Sequence, residues 1–134
     1  MDPAQSTREK TGLVVVADDD AEARSMIADA LEQIGYEVLL VKDGAELIDC
    51  LTALSNDNCL VLTDLDMPRV GGLLALDVIA RRFPEAAVVV MTGWRDEVVH
   101  EEALARGAKA VLQKPFPLKE LRRIAAQELG APAA

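Results

Sequence analysis

Five short apolar runs alternate with segments of helical spacing along this sequence, and this alternation limits the folds that it can adopt. The runs are rich in Val and Leu, as expected of strands that are buried on both faces of a sheet. The short connections fit right-handed crossovers between parallel strands. The pattern therefore predicts an α/β fold, with a parallel sheet covered by helices on both faces. The predicted strands are Leu13 to Ala17, Tyr36 to Val41, Leu60 to Thr63, Ala87 to Thr92 and Ala110 to Gln113.

Each run is followed by a segment in which apolar residues recur every three or four positions, as in an amphipathic helix. The first segment ends before Gly35, and the second opens with a capping residue, Asp43. The third ends at Pro84, which cannot continue a helix. The fourth runs from Asp96 to Arg106, and the fifth has Pro117 in its first turn. The sequence therefore predicts five helices.

The composition fits one soluble domain. The chain has 134 residues, of which 51% are hydrophobic, and this is enough apolar material for a core. The formal net charge of -9 opposes direct binding to nucleic acid or to anionic lipid. No apolar run approaches the roughly 18 residues that span a bilayer, and Met1 to Gly12 lacks the hydrophobic segment of a signal peptide. We therefore expect a cytoplasmic protein that binds neither nucleic acid nor membranes.

Both ends of the chain lack the apolar periodicity of the central part. Residues 1–11 are mostly polar and charged, and residues 131–134 are small residues with one Pro. Such segments are typical of loops and loose ends. We expect a flexible tail at residues 1–11, a single domain at residues 12–130 and a short tail at residues 131–134.

Acidic, hydroxyl and basic side chains stand at the ends of the predicted strands. They are Asp18 and Asp19 after the first strand, Asp64 after the third, Thr92 at the end of the fourth and Lys114 after the fifth. Taken singly, each has an ordinary explanation, such as helix capping by Thr92 or a solvated surface position for Lys114. Because ligands bind outside the carboxyl ends of parallel strands, however, we expect these residues to meet at one edge of the sheet.

Three carboxylates at neighbouring strand ends repel one another unless a cation joins them. Asp18, Asp19 and Asp64 offer the oxygen ligands that Mg²⁺ prefers, so we predict that they bind Mg²⁺. With Mg²⁺ and Lys114 the site is near neutral and can admit a phosphoryl group. We expect Asp64 to attack phosphorus, Thr92 to donate its hydroxyl to one phosphoryl oxygen and Lys114 to pair with another.

Four segments of the sequence resemble the receiver domain of two-component response regulators, in the order and spacing of that family. They are Val14-Val15-Val16-Ala17-Asp18-Asp19, Leu62-Thr63-Asp64-Leu65-Asp66-Met67-Pro68, Val90-Met91-Thr92-Gly93 and Lys114-Pro115-Phe116. The similarity extends from about Gly12 to Leu129. It implies a flavodoxin-like fold, which is a doubly wound parallel sheet of five strands in the order 2-1-3-4-5 with five helices.

The resemblance also implies a signalling role. A histidine kinase or a histidine phosphotransfer protein would phosphorylate Asp64, and phosphorylation would switch protein–protein contacts. Asp19 and Asp64 would bind Mg²⁺ directly, Asp18 often through water, and the backbone carbonyl of Asp66 would complete the protein ligands. Receivers commonly use the face of helix four, strand five and helix five for output to a downstream protein. The chain would catalyse only its own phosphorylation and dephosphorylation.

Several positions depart from the pattern that is commonest in receivers. Receivers usually carry Tyr or Phe three residues before the lysine, where this chain has Val111. We therefore assign no tyrosine-type switch, and a receiver-like interaction module that works without phosphorylation stays open as an alternative. Trp94 stands two residues after Thr92, and we expect it to lie near the metal. We expect the single histidine, His100, to be a surface residue and not a phosphoacceptor.

An aspartyl-phosphate phosphatase is a second alternative. Asp64-Leu65-Asp66, followed by a Thr and a Lys at later strand ends, is also similar to haloacid-dehalogenase-type phosphatases, which form an aspartyl phosphate and hydrolyse it. Those enzymes begin with their nucleophile strand and place an acidic metal-binding pair later. Here the acidic pair, Asp18 and Asp19, comes first, so the order of the parts disfavours this alternative.

Overall fold

The computed structural model of the protein describes residues 10–54, 58–67 and 70–130. Over these ranges five strands alternate with five helices, as predicted. The strands are β1 (Lys10–Ala17), β2 (Glu37–Val41), β3 (Asn58–Asp64), β4 (Ala87–Thr92) and β5 (Ala110–Gln113). The helices are α1 (Ala21–Glu32), α2 (Gly44–Leu54), α3 (Gly72–Arg82), α4 (Glu97–Ala105) and α5 (Leu118–Leu129).

The five strands pair in parallel, in the order β2-β1-β3-β4-β5. β1 and β3 pair Ala17 with Thr63, and β3 and β4 pair Asp64 with Met91. The carboxyl ends of the three central strands therefore lie at one level. This arrangement confirms the flavodoxin-like α/β fold and puts the residues that follow these strands on one edge of the sheet.

The sheet separates two apolar layers, and the side chains of each strand alternate between them. In β1, Val14 and Val16 belong to the layer with α1 and α5, whereas Val15 and Ala17 belong to the layer with α2, α3 and α4. Successive side chains of a strand face opposite sides of the sheet, so a continuous apolar run is buried on both faces. Close packing of these two layers fixes the positions of the strand ends.

Some element boundaries differ from the predicted ones. β1 begins at Lys10, which is three residues before Leu13 and inside the expected tail, because main-chain pairing with Asn58 continues the strand beyond its apolar residues. β3 likewise begins at Asn58, two residues before Leu60. Residues 1–9 and 131–134 lie outside the described residues, so the proposed tails and the domain limits stay a prediction.

Side-chain capping fixes the start of α2. Asp43 Oδ1 accepts the N–H of Glu46 at 2.8 Å, and Glu46 Oε1 accepts the N–H of Lys42 at 2.9 Å, which is a capping interaction of the predicted kind at α2. α5 begins at Leu118, so Pro117 is the residue before the helix and not part of its first turn.

None of the described helices is both long enough and apolar enough to cross a membrane.

Candidate functional site

Three carboxylates come together at the carboxyl edge of the sheet. Asp18 and Asp19 follow β1, and Asp64 is the last residue of β3. Each side chain offers one oxygen, and these three oxygens lie within 4.8 Å of one another. Asp18 and Asp64 are buried, whereas Asp19 is exposed to solvent. The structure thus brings together the three residues that the sequence predicts to share a cation.

Asp18 is fully buried, and both of its carboxylate oxygens are hydrogen bonded. Oδ1 accepts the backbone N–H of Asp20 at 3.0 Å, and Oδ2 accepts from Lys114 Nζ at 2.8 Å. The guanidinium of Arg24 donates to the backbone carbonyl of Asp18 at 2.7 Å. Asp20 in turn caps α1 by accepting the N–H of Glu22 at 3.0 Å. The turn between β1 and α1 therefore fixes the orientation of the Asp18 carboxylate.

Lys114 joins the two buried carboxylates. Its Nζ donates to Asp18 Oδ2 at 2.8 Å and to Asp64 Oδ2 at 2.9 Å. Burial alone would lower the pKa of Lys114, but the hydrogen bonds to the two carboxylates outweigh burial and raise this pKa above its ordinary value. Lys114 is therefore a positively charged partner of both residues at neutral pH.

Asp64 is buried except for a small part of its side chain, of which 11% is exposed. Burial raises the pKa of Asp64 above its ordinary value, because a carboxylate loses solvation there. The N–H of Asp66, which donates to Asp64 Oδ1 at 3.0 Å, and the Lys114 ammonium act in the opposite direction. A further positive charge beside Asp64 would therefore favour its ionised, nucleophilic form.

The connection after β3 packs closely against Asp64. The N–H of Leu65 donates to the Met91 carbonyl at 3.0 Å, and the N–H of Gly72 donates to the Leu65 carbonyl at 3.1 Å. A Cβ on Gly72 would lie 2.5 Å from the Cα of Leu65 and 2.7 Å from the carbonyl oxygen of Asp64. Glycine at position 72 thus allows α3 to start directly against the end of β3.

Thr92 lies at the neighbouring strand end, one residue beyond the Met91 that pairs with Asp64. Its side chain is buried. Oγ1 of Thr92 accepts the backbone N–H of Trp94 at 3.0 Å, and the carbonyl of Thr92 accepts the backbone N–H of Lys114 at 2.7 Å. Since Oγ1 acts as the acceptor in its bond with Trp94, the hydroxyl hydrogen is left for a second bond.

The predicted site residues occupy the same edge of the sheet. Asp18, Asp64 and Lys114 are in direct contact, and Asp19 completes the acidic cluster. Asp66 lies in the turn after β3 with an exposed side chain, and metal binding by its backbone carbonyl stays a prediction. Pro68, which belongs to one of the motifs, lies outside the described residues.

Two residues that support the site are missed by the sequence patterns. Arg24 holds the backbone of Asp18, and a single arginine on an amphipathic helix gives no signal of that contact. Gly72 allows the close approach of α3 to Asp64. The pair Gly71-Gly72 marks a turn in the sequence, but it does not tell which glycine has a neighbour too close for a side chain.

The acidic cluster fits a divalent cation. Three carboxylates and one ammonium give a formal charge of about -2, which one divalent cation neutralises. The donor atoms are hard oxygens, and the exposure of Asp19 leaves one side open to water, which Mg²⁺ keeps in its coordination shell. Asp18, Asp19 and Asp64 are therefore the side chains that could hold Mg²⁺.

A groove with a volume of about 350 Å³ lies beside this site, between α1 and the β5–α5 connection. Its lining combines the polar residues Asp20 and Lys114 with the apolar residues Met26, Ile27 and Phe116. Met26 is largely exposed. The groove thus adjoins the charged edge of the sheet with a mostly apolar wall.

Comparison with known proteins places these features in a family context. Residues 14–126 match the family model of the response regulator receiver domain. The DNA-binding transcriptional regulator NtrC of a Bradyrhizobium species is 36% identical over 121 residues, which make up 90% of this chain and 25% of that protein. A probable chemotaxis protein CheY from Rhizobium etli is 29% identical over 122 residues, covering 88% of this chain and 92% of that protein. The chain thus spans about a quarter of the length of its NtrC relatives.

Solved structures give the same result. A response regulator receiver domain protein from Clostridium thermocellum superposes with a TM-score of 0.82 and 29% sequence identity, covering 87% of this chain and 93% of that one. The receiver domain of NtrX from Brucella abortus superposes with a TM-score of 0.79 and 28% identity, covering 87% of this chain and 97% of that one. Both similarities extend over most of the chain.

Proposed function

The chain belongs to the response regulator receiver domain family, and we propose that a histidine kinase or a histidine phosphotransfer protein phosphorylates it on Asp64. The observation that carries the proposal is the pair of hydrogen bonds from Lys114 Nζ to Asp18 and Asp64. This contact puts a positive charge beside a carboxylate at the strand end, where a phosphoryl group would add negative charge.

Partial exposure together with contact to Lys114 favours Asp64 over its two acidic neighbours as the acceptor. Asp18 also contacts Lys114, but it is fully buried, so a donor does not reach its oxygens. Asp19 is exposed, and its predicted role is metal binding. Asp64 combines contact with Lys114 and partial exposure of its side chain, so a donor can reach it. This combination supports Asp64 as the nucleophile.

The transfer is a displacement at phosphorus. An oxygen of Asp64 attacks the phosphorus atom of a phosphohistidine, the phosphorus–oxygen bond forms and the phosphorus–nitrogen bond breaks. The donor imidazole leaves with the electron pair and takes up a proton. The Lys114 ammonium pairs with one phosphoryl oxygen, and the hydroxyl of Thr92 donates to another. The side chains of Asp18, Asp19 and Asp64 and the backbone carbonyl of Asp66 would hold Mg²⁺, which would supply positive charge to neutralise the phosphoryl oxygens.

The phosphodonor partner reaches Asp64 from the groove beside Lys114. The groove adjoins the charged site and has an apolar wall that includes the largely exposed Met26. An apolar surface next to a charged centre suits a protein donor, because the apolar contact gives affinity and the charges orient the reacting groups. We place the exchange in the cytoplasm, where we also expect the protein from its sequence.

The output of the phosphorylated chain passes to a downstream protein through the face formed by α4, β5 and α5. This face exposes charged residues on α4 and α5, among them Glu101 and Arg123, and the apolar side chain of Val98. A surface of mixed charge with an exposed apolar residue supports a protein partner. The chain acts on no external substrate in this proposal and catalyses only its own phosphorylation and dephosphorylation.

The first experiment is intact-mass measurement after incubation with acetyl phosphate and Mg²⁺. We expect the wild type to gain the mass of one phosphoryl group. Asp64→Asn should gain none, because its amide is not a nucleophile at phosphorus. Asp49→Asn, at an exposed position of α2, is the matched control and should behave like the wild type. Removal of Mg²⁺ with a chelator should also abolish the gain.

Three results would contradict the proposal in different ways. If neither acetyl phosphate nor a phosphorylated histidine phosphotransfer protein modifies the wild type, the chain is an interaction module that works without phosphorylation. If phosphate is released steadily from an added phosphate ester with rapid turnover, the chain is a phosphatase. A phosphoryl gain that persists in Asp64→Asn would assign the acceptor to another residue.

A further inference from the structure

Thr92 and His100 contact the same residue, Trp94, through opposite ends of its backbone. The N–H of Trp94 donates to Thr92 Oγ1 at 3.0 Å, and the carbonyl of Trp94 lies 2.7 Å from Nε2 of His100. Because a carbonyl oxygen can only accept, Nε2 of His100 carries the hydrogen and donates it. A continuous chain of hydrogen bonds therefore runs from the end of β4, through Trp94, to helix α4.

Helix α4 and the connection before it depend on such polar contacts, because few of their side chains are buried. Ala103 is the one buried residue of α4, and Val98 is 72% exposed. A Cβ on Gly93, in the connection, would meet no atom within 4 Å. Asp96 caps α4 by accepting the N–H of Val98 at 2.8 Å. Because packing constrains residues 93–95 so little, hydrogen bonds largely determine their backbone conformation.

The position of Trp94 in turn determines the orientation of the Thr92 hydroxyl. Thr92 is buried, and its Oγ1 is hydrogen bonded to the N–H of Trp94. Loss of the bond between His100 and the Trp94 carbonyl would allow residue 94 to move and its N–H to turn away from Oγ1. The hydroxyl would then rotate toward other acceptors and would no longer be held for donation to a phosphoryl group.

We propose that His100 is a positioning residue, which fixes Trp94 and thereby holds the Thr92 hydroxyl ready for a phosphoryl group on Asp64. By linkage, a change at Thr92 must also change the interaction of His100, so the same bonds couple the acceptor site to α4. The inference rests on the proposed function for the role of Thr92. The side chain of Val111 on β5 cannot take the place of His100 in this coupling, because it is aliphatic and packs against the core.

The test compares His100→Ala, which lacks the donor, with His100→Gln, whose amide can still donate to a carbonyl. We expect His100→Ala to accelerate hydrogen exchange of the Trp94 amide by about fivefold to tenfold, because roughly one hydrogen bond is lost. The same substitution should slow phosphoryl gain on Asp64 by a similar factor. His100→Gln should restore both. Asp49→Ala, at an exposed position of α2, is the control and should change neither.

The effect of Thr92 on His100 is measured by nuclear magnetic resonance. His100 is the single histidine of the sequence, so its ring signals are readily assigned. Thr92→Val removes the acceptor of the Trp94 N–H and should shift the ring signals of His100. Thr52→Val, on the exposed side of α2, should leave them unchanged. Equal Trp94 exchange in wild type and His100→Ala, or unchanged His100 signals in Thr92→Val, would overturn the inference. These two measurements show whether Thr92 and His100 are coupled even if the wild type takes up no phosphoryl group. The absence of phosphoryl gain would refute the proposed function and not this inference.

Discussion

Lys114 Nζ lies 2.9 Å from Asp64 Oδ2, and this contact joins two strand ends that are 50 residues apart in the sequence. The same ammonium lies 2.8 Å from Asp18 Oδ2, so that one positive charge compensates two buried carboxylates. Buried carboxylates without a partner are strongly unfavourable. Lys114 therefore contributes to the stability of the site as well as to its chemistry.

Replacement of Lys114 by Met should make stability depend more on the metal. Without Mg²⁺, we expect Lys114→Met to lower the free energy of unfolding by about 1–3 kcal/mol, because two buried carboxylates lose a donor. The change also raises the negative charge of the site from about -2 to about -3, so that Mg²⁺ should stabilise the variant more than the wild type. Urea unfolding with chelator and with Mg²⁺ measures both effects.

Lys119→Met, at an exposed position of α5, is the control for the loss of a lysine. It should leave the stability and the response to Mg²⁺ close to those of the wild type. Equal stabilisation of Lys114→Met and wild type by Mg²⁺ would show that Lys114 does not influence the cation site.

Asp19 provides a way to weaken metal binding without disturbing the core, because its side chain is exposed. We expect Mg²⁺ at 100 times its dissociation constant to stabilise the wild type by about 2.7 kcal/mol. Asp19→Asn removes one charged ligand and should require a higher Mg²⁺ concentration for the same stabilisation. Trp94, the only tryptophan, should report the titration by its fluorescence, with Asp49→Asn as a control. Identical titrations of Asp19→Asn and wild type would exclude Asp19 from the metal site.

The sequence predicts the fold because the local pattern and the global fold agree. Buried parallel strands require apolar residues on both faces, and runs such as Val14 to Val16 and Val88 to Val90 are apolar without interruption. Charged residues follow the apolar runs directly and mark where the strands end. Asp18 and Asp64 can therefore be placed at one edge of the sheet from the sequence. Strand order follows from the family resemblance, since no local pattern determines which strands pair.

Contacts that involve main-chain groups escape the sequence patterns. The carbonyl of Trp94 accepts from His100, six residues later on α4, and an isolated histidine on a polar helix gives no sign of this contact. The start of β1 at Lys10 also escapes, because strand pairing uses backbone groups that polar residues share with apolar ones. In both cases the determining group belongs to the main chain.

Gly72 and its neighbour Gly71 give a matched pair for testing the packing behind Asp64. A Cβ on Gly72 would lie 2.5 Å from the Cα of Leu65, whereas a Cβ on Gly71 would meet no atom within 4 Å. We expect Gly72→Ala to destabilise the protein by about 1–3 kcal/mol, because the added methyl overpacks the start of α3. It should also slow phosphoryl gain, since relief of the clash displaces the residue next to Asp64.

Urea unfolding and the initial rate of mass gain with acetyl phosphate measure the two effects. Gly71→Ala should differ little from the wild type in both. Comparable effects of the two substitutions would show that the close approach at Gly72 does not constrain the acceptor site.

Tyr36 ties the start of β2 to the end of α5, since its hydroxyl donates to the carbonyl of Gly130 at 2.8 Å. Burial raises the pKa of Tyr36 above its ordinary value of about 10. Just above pH 10, the phenol of Tyr36 loses its proton in the unfolded chain but keeps it in the folded chain. The unfolded state then binds fewer protons, so the contribution of Tyr36 to the free energy of unfolding falls as the pH rises.

Tyr36→Phe removes both the hydrogen bond and this pH dependence. At neutral pH the variant should be less stable than the wild type by about 1 kcal/mol, the typical net contribution of one hydrogen bond. Because the wild type alone carries the phenol, the difference in unfolding free energy should shrink as the pH rises from about 9 to about 11. Urea unfolding of both proteins across this range gives the difference directly, and ionisation of other groups affects both alike. A difference that stays constant with pH would mean that the Tyr36 phenol ionises equally in the folded and unfolded chains.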